Sequence, residues 1–177
     1  PAAAMTLEQA CKVGLHDQER DFSAIQPVID RLAEALRGHS IALATPPDPN
    51  KVALGPRLMR VLVKARAGES IGKIRRISED IARHVGTSTP DVHIQNSPRH
   101  RAIAFDLPIE GFGYQVLFED IVEHPSFEAS RRELRLPFCA GIEVTGKPRW
   151  SDLAGMPHML LAGSTGSGKT VFLRNIL

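Results

Sequence analysis

The stretch Gly163-Ser-Thr-Gly-Ser-Gly-Lys-Thr170 constrains this chain more than any other. It satisfies the pattern G-x-x-x-x-G-K-S/T in full, and that pattern carries a mechanism. Gly163, Gly166 and Gly168 let the backbone curl with its N–H groups turned inward, and a following helix adds its positive N-terminal end. Lys169 is placed to reach the β- and γ-phosphates of a nucleotide, and the Thr170 hydroxyl to hold Mg²⁺. Ser164, Thr165 and Ser167 complete the cradle. The flanks fit: Met159-Leu160-Leu161-Ala162 reads as a short buried parallel strand feeding the loop, and Val171 to Leu177 as the first turns of a helix.

The loop nearly closes the chain, seven residues from its end. A complete parallel sheet of this type needs roughly 100 further residues, and no position remains for the acid that holds Mg²⁺ through water. The sequence also begins Pro-Ala-Ala-Ala-Met-Thr, which reads as a fragment boundary. The isolated chain is therefore expected to show little or no nucleotide turnover.

Upstream, the patterning predicts an α+β arrangement. Thr6 can cap a short helix. A stronger helix runs from Ser23 to Arg37, with Ile25, Val28, Ile29, Leu32 and Leu36 on one face and Gly38 as its stop. His39 to Ala44 reads as a strand, ended by the prolines of Thr45 to Asn50. Arg57 to Ala67 reads as a second strand. Ser70 caps an amphipathic helix to His84, with Ile71, Ile74, Ile77, Ile81 and then Val85 on its apolar face. Asp91–Gln95 and Arg101–Leu107 read as strands joined at Asn96-Ser97-Pro98. Tyr114 to Phe118 is a further candidate strand. Phe118 to Glu133 is helical, with Pro125 interrupting it, and Leu136 to Val144 is an apolar run.

Composition adds exclusions. The 42% hydrophobic content supports a core, and no apolar run is long enough to span a membrane. The net charge of +2 neither demands nor excludes nucleic acid. Cys11 and Cys139 lack metal spacing and read as reduced, buried thiols of a cytoplasmic protein. His84, His93 and His100 lack metal-ligand spacing. Ser126 and Ser167 have no nucleophile context. Trp150 can pack over an adenine or anchor a junction. The basic face Lys73, Arg75, Arg76 and Arg83 is either a DNA contact or a solvated face or subunit contact. Arg99, His100 and Arg101 form either a phosphate-touching hairpin tip or an exposed turn. The mixed charges of Glu128 to Arg135 read as a solvated face.

The segment Asp152 to Thr170, "DLAGMPHMLLAGSTGSGKT", resembles the start of the motor in FtsK/SpoIIIE-type DNA translocases, the Met156-Pro157-His158 lead-in being more specific than the phosphate loop alone. Gly141 to Leu153 is similar to the lead-in before it. Gly55-Pro56, Arg60, Gly68, Asp80-Ile81 and Ala82 fall at matching places, as does Ala104 to Pro108, with Asp106 where Glu is usual. The resemblance covers about residues 52 to 177, and the first fifty match nothing nameable. It implies a small mixed α/β domain followed by the incomplete start of a RecA-like P-loop β domain. The implied division is an N-terminal helical extension over 1–50, an FtsK-like α domain over 51–110, and a junction with the first strand, loop and helix of the β domain over 111–177. It implies ATP and Mg²⁺ as cofactors, held by Gly163 to Thr170, and double-stranded DNA and further copies of the chain in a hexameric ring as partners. A structural or coupling role falls to His158. Lys73, Arg75, Arg76, Arg99 and Arg101 are the candidate DNA contacts. The implied location is cytoplasmic, with room for an anchor outside this chain. A second reading is a DNA-binding or oligomerisation module without activity of its own, from a phosphorothioation-linked restriction system or another defence or conjugation motor. An unrelated P-loop kinase or GTPase fits the Met156-Pro157-His158 context and the long preceding region poorly.

Overall fold

The computed structural model describes residues 22–90, 92–108 and 115–176. The expected helix at Thr6, Cys11, the start of the expected strand at Asp91, and Tyr114 lie outside that set. The chain divides into two compact units, Asp17–Gln115 and a second containing Val116–Leu177. Helices and antiparallel strands mix in both, which makes the fold α+β as the patterning predicts.

In the first unit, helix α1 (Phe22–Gly38) buries Ile25, Val28, Ile29, Leu32 and Leu36, each at 2% exposure or less. These are the positions its helical spacing selects. The helix stops at Gly38, but the left-handed residue that reverses the chain is Ser40 (φ 57°). There the Ile41 N–H returns to the Leu36 carbonyl at 2.9 Å. The strand expected over His39–Ala44 reduces to one bridge, Leu43 with Ala65. Pro46, Pro47 and Pro49 lack N–H donors, so a ladder cannot continue there.

The sheet runs in the order β1-β2-β4-β3: β1 (Ala53–Leu54), β2 (Met59–Val63), β3 (His93–Ser97) and β4 (Ala102–Leu107). Strand β2 pairs with β4 from Met59↔Leu107 to Val63↔Ile103. Strand β3 pairs with β4 from His93↔Asp106 to Ser97↔Ala102. The turn expected at Asn96-Ser97-Pro98 therefore falls later. Asn96 and Ser97 stay in the ladder, and Pro98–His100 makes a 3-10 turn. Proline suits the first position past the ladder because it has no N–H to donate.

The single helix expected from Ser70 to His84 is two helices, α2 (Ile71–Arg76) and α3 (Ser78–Val85), divided at Ile77. Ser70 caps α2 by accepting from the Gly72 N–H at 3.2 Å. Charge accounts for the break: Lys73, Arg75 and Arg76 crowd the C-terminal end of α2, and Glu79 and Asp80 open α3. Each set complements the dipole of its own helix end. The division lets Ile74 and Ile81 both reach the core. Gly86 (φ 81°) ends α3 in the left-handed conformation, its N–H and that of Thr87 returning to the Ala82 carbonyl.

In the second unit, α4 (Phe118–Glu123) and α5 (Pro125–Glu133) meet at His124, with Pro125 as the first residue of α5. The strand expected over Tyr114–Phe118 is absent from residues 115–118, where Phe118 begins α4 instead. Strands β5 (Pro137–Ile142) and β6 (Pro148–Asp152) form an antiparallel hairpin with a bulge between Cys139 and Gly141. Cys139 is half-buried, not enclosed as expected: it pairs with Trp150 in this two-stranded hairpin, and the bulge leaves Ala140 beside it without a ladder partner. Helix α6 (Lys169–Ile176) follows the phosphate loop as expected.

Candidate functional site

The hairpin and α6 set the frame of the loop. Phe138 of β5 and Phe172 of α6 meet edge-on, 6.4 Å between ring centres and 75° apart. Asp152 ends β6 and ties the strand junction together. Its carboxylate accepts from the N–H groups of Leu136 (2.9 Å), Ala154 (3.1 Å) and Arg135 (3.4 Å). The Leu136 N–H is the largest influence holding this carboxyl below the usual carboxylate range. Asp152 thereby starts the 3-10 turn Leu153–Gly155 that leads toward the loop. Trp150 donates from Nε1 to the Ser126 hydroxyl at 2.7 Å and lies tilted on Phe127. It packs on α5 within its own unit. Nothing in the patterning pointed to Ser126, because the two residues stand on elements far apart in sequence.

The expected strand Met159–Ala162 is not formed: these residues belong to no element and join no ladder among the described residues. Leu160 is 93% exposed. A parallel strand is buried on both faces and needs neighbours on both sides, and the described residues place none there.

The loop carries its sequence signature into geometry. Gly166 and Gly168 have φ of 80° and 90°, a region that side chains with a Cβ rarely adopt. Gly163 is needed for a different reason. A Cβ there would stand 2.6 Å from the Ser167 hydroxyl. The Lys169 ammonium folds back over the loop and donates to the carbonyls of Gly163 and Ser164. The exposed Thr170 follows as the second residue of α6. Loop backbone, a cation over its mouth and a helix N-terminus are together the donor set an anionic phosphate requires, so the residues present fit a nucleotide.

The candidate DNA residues lie in the first unit and separate into two kinds. Lys73 donates to the Ser40 carbonyl (3.0 Å) and stands 3.7 Å from Glu69. Arg75 donates from Nε to the Ile94 carbonyl (3.0 Å). Both are tied to their own unit. Arg76, Arg99 and Arg101 are exposed, the last two on the 3-10 turn between β3 and β4.

One constellation was invisible as a unit in the sequence. Arg60 on β2 forms a two-pronged ion pair with Asp106 on β4, at 2.6 and 2.8 Å. Gln95 on β3 donates to the same carboxylate at 3.2 Å. Asp106 is 4% exposed. Both charged residues fall in the segments that resemble the translocases, but their partnership depends on register. Among the described residues no cluster has the makings of a metal site, and no helix is long and apolar enough to cross a membrane.

Comparison with known proteins agrees with the loop's context. The FtsK/SpoIIIE family matches residues 119–177. The DNA translocase FtsK of Chlamydia pneumoniae is 30% identical over 161 residues, 91% of this chain and 20% of that protein. The DNA translocase FtsK of Pseudomonas putida is 31% identical over 117 residues, 66% of this chain and 14% of that protein. That of Halalkalibacterium halodurans is 28% identical over 151 residues, 85% of this chain and 18% of that protein. The first of these matches reaches into the first fifty residues, which the motifs left without a counterpart, since 161 of 177 residues leave only 16 outside it. The chain spans about a fifth or less of the length of these relatives.

Proposed function

This chain belongs to the FtsK/SpoIIIE family as a fragment of an FtsK-type translocase, and from that premise we propose that it carries the nucleotide-entry side of an ATP-driven motor for double-stranded DNA. In this reading residues 51–110 are the small α domain, residues 1–50 its N-terminal extension, and residues 111–177 the junction and the start of the RecA-like domain. Gly163 to Thr170 cradle the phosphates of ATP. Lys169 exchanges its two loop carbonyls for the β- and γ-phosphates, and the Thr170 hydroxyl holds Mg²⁺. Bound Mg²⁺ neutralises charge on the phosphates. The chain's own part is to align them through loop N–H groups and the first turn of α6. In the whole protein, copies assemble in the cytoplasm as a hexameric ring through which DNA is threaded.

The observation that supports this reading best is the Lys169 ammonium lodged over the loop mouth, beside two glycines with positive φ. A phosphate, being charged, is a stronger acceptor for that ammonium than the two neutral carbonyls it now meets. The test is titration of the chain with a fluorescent ATP analogue in Mg²⁺. We expect saturable binding that weakens at least about tenfold in Lys169→Ala, which is about 1.4 kcal/mol. Equal binding by the variant would refute the assignment of the loop.

A further inference from the structure

The four-stranded sheet uses its two faces differently. The odd-numbered residues of β2 and β4, Met59, Val61, Val63, Ile103, Phe105 and Leu107, belong to the core with α1, α2 and α3. Alternation along a strand places Arg60, Leu62, Ala102, Ala104 and Asp106 on the opposite face. Arg60 and Asp106 neutralise one another there.

Beside this second face lies a pocket of about 430 Å³, lined by Thr45, Lys51, Leu62, Lys64, His100 and Ala102. Leu62 and Ala102 are apolar. Two ammonium groups, an imidazole and a hydroxyl border the same space. The lining also includes Asp48, whose carboxylate is occupied by its own turn. It accepts from the Asn50 N–H at 3.0 Å and pairs with Lys51 at 3.2 Å.

A second observation comes from the turn that brings His100 to the pocket. Ser97 Oγ lies 2.9 Å from His100 Nδ1, and Pro98 opens the 3-10 turn. Arg101 closes it at φ 48°, a left-handed conformation disfavoured for any residue with a Cβ. A glycine or asparagine would fit this position more easily, yet the chain carries an arginine, with Arg99 also exposed two residues earlier. Cations are thus presented on a braced turn at the edge of a basic pocket. Lys73 and Arg75, by contrast, are bonded to carbonyls of their own unit.

We propose that this pocket and turn are where the first unit grips the phosphodiester backbone of duplex DNA, through Lys64, His100 and the flanking Arg99 and Arg101, with Lys51 held at the rim by Asp48. The proposal rests on the reading of the chain as part of a DNA motor. It assigns the contact to the sheet side and takes it from Lys73 and Arg75. Contacts of this kind fix position without reading sequence, so binding is sequence-independent and falls steeply with salt.

The test is titration of a short labelled duplex with the Lys169→Ala chain, which removes the phosphate loop's cation from the comparison, over a salt series. Lys64→Ala/Arg99→Ala is expected to weaken binding about tenfold or more and to lower the log–log salt slope by about 2, one unit for each phosphate that is no longer neutralised. Amide shifts on DNA binding to the unsubstituted chain are expected to centre on residues 45–51, 62–64 and 98–102, a readout that needs no variant to fold. Unchanged affinity in the double variant, or shifts centred on α2 with a larger loss in Arg76→Ala, overturns this assignment and leaves the DNA reading standing. Failure to bind duplex even at low salt overturns both. Binding of pyrophosphate in the pocket without binding of duplex overturns the choice of DNA as occupant.

Discussion

Replacing Asp106 by alanine removes one half of an ion pair that folding has taken out of water. The Asp106 side chain is 5% exposed and that of Arg60 29%. The variant strips the guanidinium of a two-pronged carboxylate and Gln95 of its acceptor. Removing one partner of a fully buried pair costs about 3–5 kcal/mol. Arg60 keeps some contact with water, which places the expected loss near the lower end, at about 3 kcal/mol. With a urea slope of about 1–2 kcal/mol per molar, the midpoint of the first unit should fall by roughly 1.5–3 M. Amide signals of β2 and β4 report that unit directly. Fluorescence of Trp150, the sole tryptophan, reports the other unit and should hold its midpoint. Arg60→Met combined with Asp106→Leu should recover most of the loss, since a packed apolar pair avoids desolvating charge. A midpoint in Asp106→Ala within about 0.5 M of the parent, corresponding to less than about 1 kcal/mol, would show that the pair contributes little and that the reasoning from burial is wrong.

Other perturbations test the second unit. Gly163→Ala should lower nucleotide affinity about tenfold with little change in stability, because the new Cβ meets the Ser167 hydroxyl; adding Ser167→Ala should restore part of it, and titration with the fluorescent analogue reads both. Ser126→Ala should cost about 1–3 kcal/mol by leaving the Trp150 indole N–H without its acceptor; urea unfolding followed by tryptophan emission measures it. Asp152 has a depressed carboxyl pKa in the folded chain, so its stabilising contribution is present above the ordinary carboxylate value and is lost as pH falls through the lower folded one. The protection of the Leu136 and Ala154 amides, measured against their intrinsic exchange rates, should therefore fall on acidification below about pH 4, and Asp152→Ala should show reduced protection already at neutral pH.

Local features were the most legible. The apolar stripe of α1 is the set of residues that the core receives, since helical spacing is a property of the chain itself. The Ser70 cap, the Pro125 break and the helix after the phosphate loop follow from side chains acting within a few residues. Boundaries that depended on a partner were less legible. His39–Ala44 has strand character but finds only one bridge, and Met159–Ala162 finds no ladder among the described residues. The split at Ile77 escaped because Ile71, Ile74, Ile77 and Ile81 fit one continuous helical stripe. The charges on either side of Ile77 decide the matter, together with the burial of Ile74 and Ile81 in one core.

The sequence by itself determined the chemistry available to this protein: a glycine-rich loop with a lysine and a threonine at the spacing a nucleotide's phosphates require. It also determined which faces of its helices would be apolar. Both rest on backbone freedom and periodicity over a few residues, which need no distant partner. Only the tertiary structure decided which charges neutralise one another and which remain at the surface. Arg60 meets Asp106 across 46 positions because β2 and β4 pair in one register, and a slip of one residue would turn every side chain to the opposite face. The same fold brings Lys64, His100 and Lys51 to the lining of one pocket and leaves Lys73 and Arg75 bonded to the backbone of their own unit. Long-range pairing is selected by the burial of the whole core at once, and no local stretch of sequence contains that information.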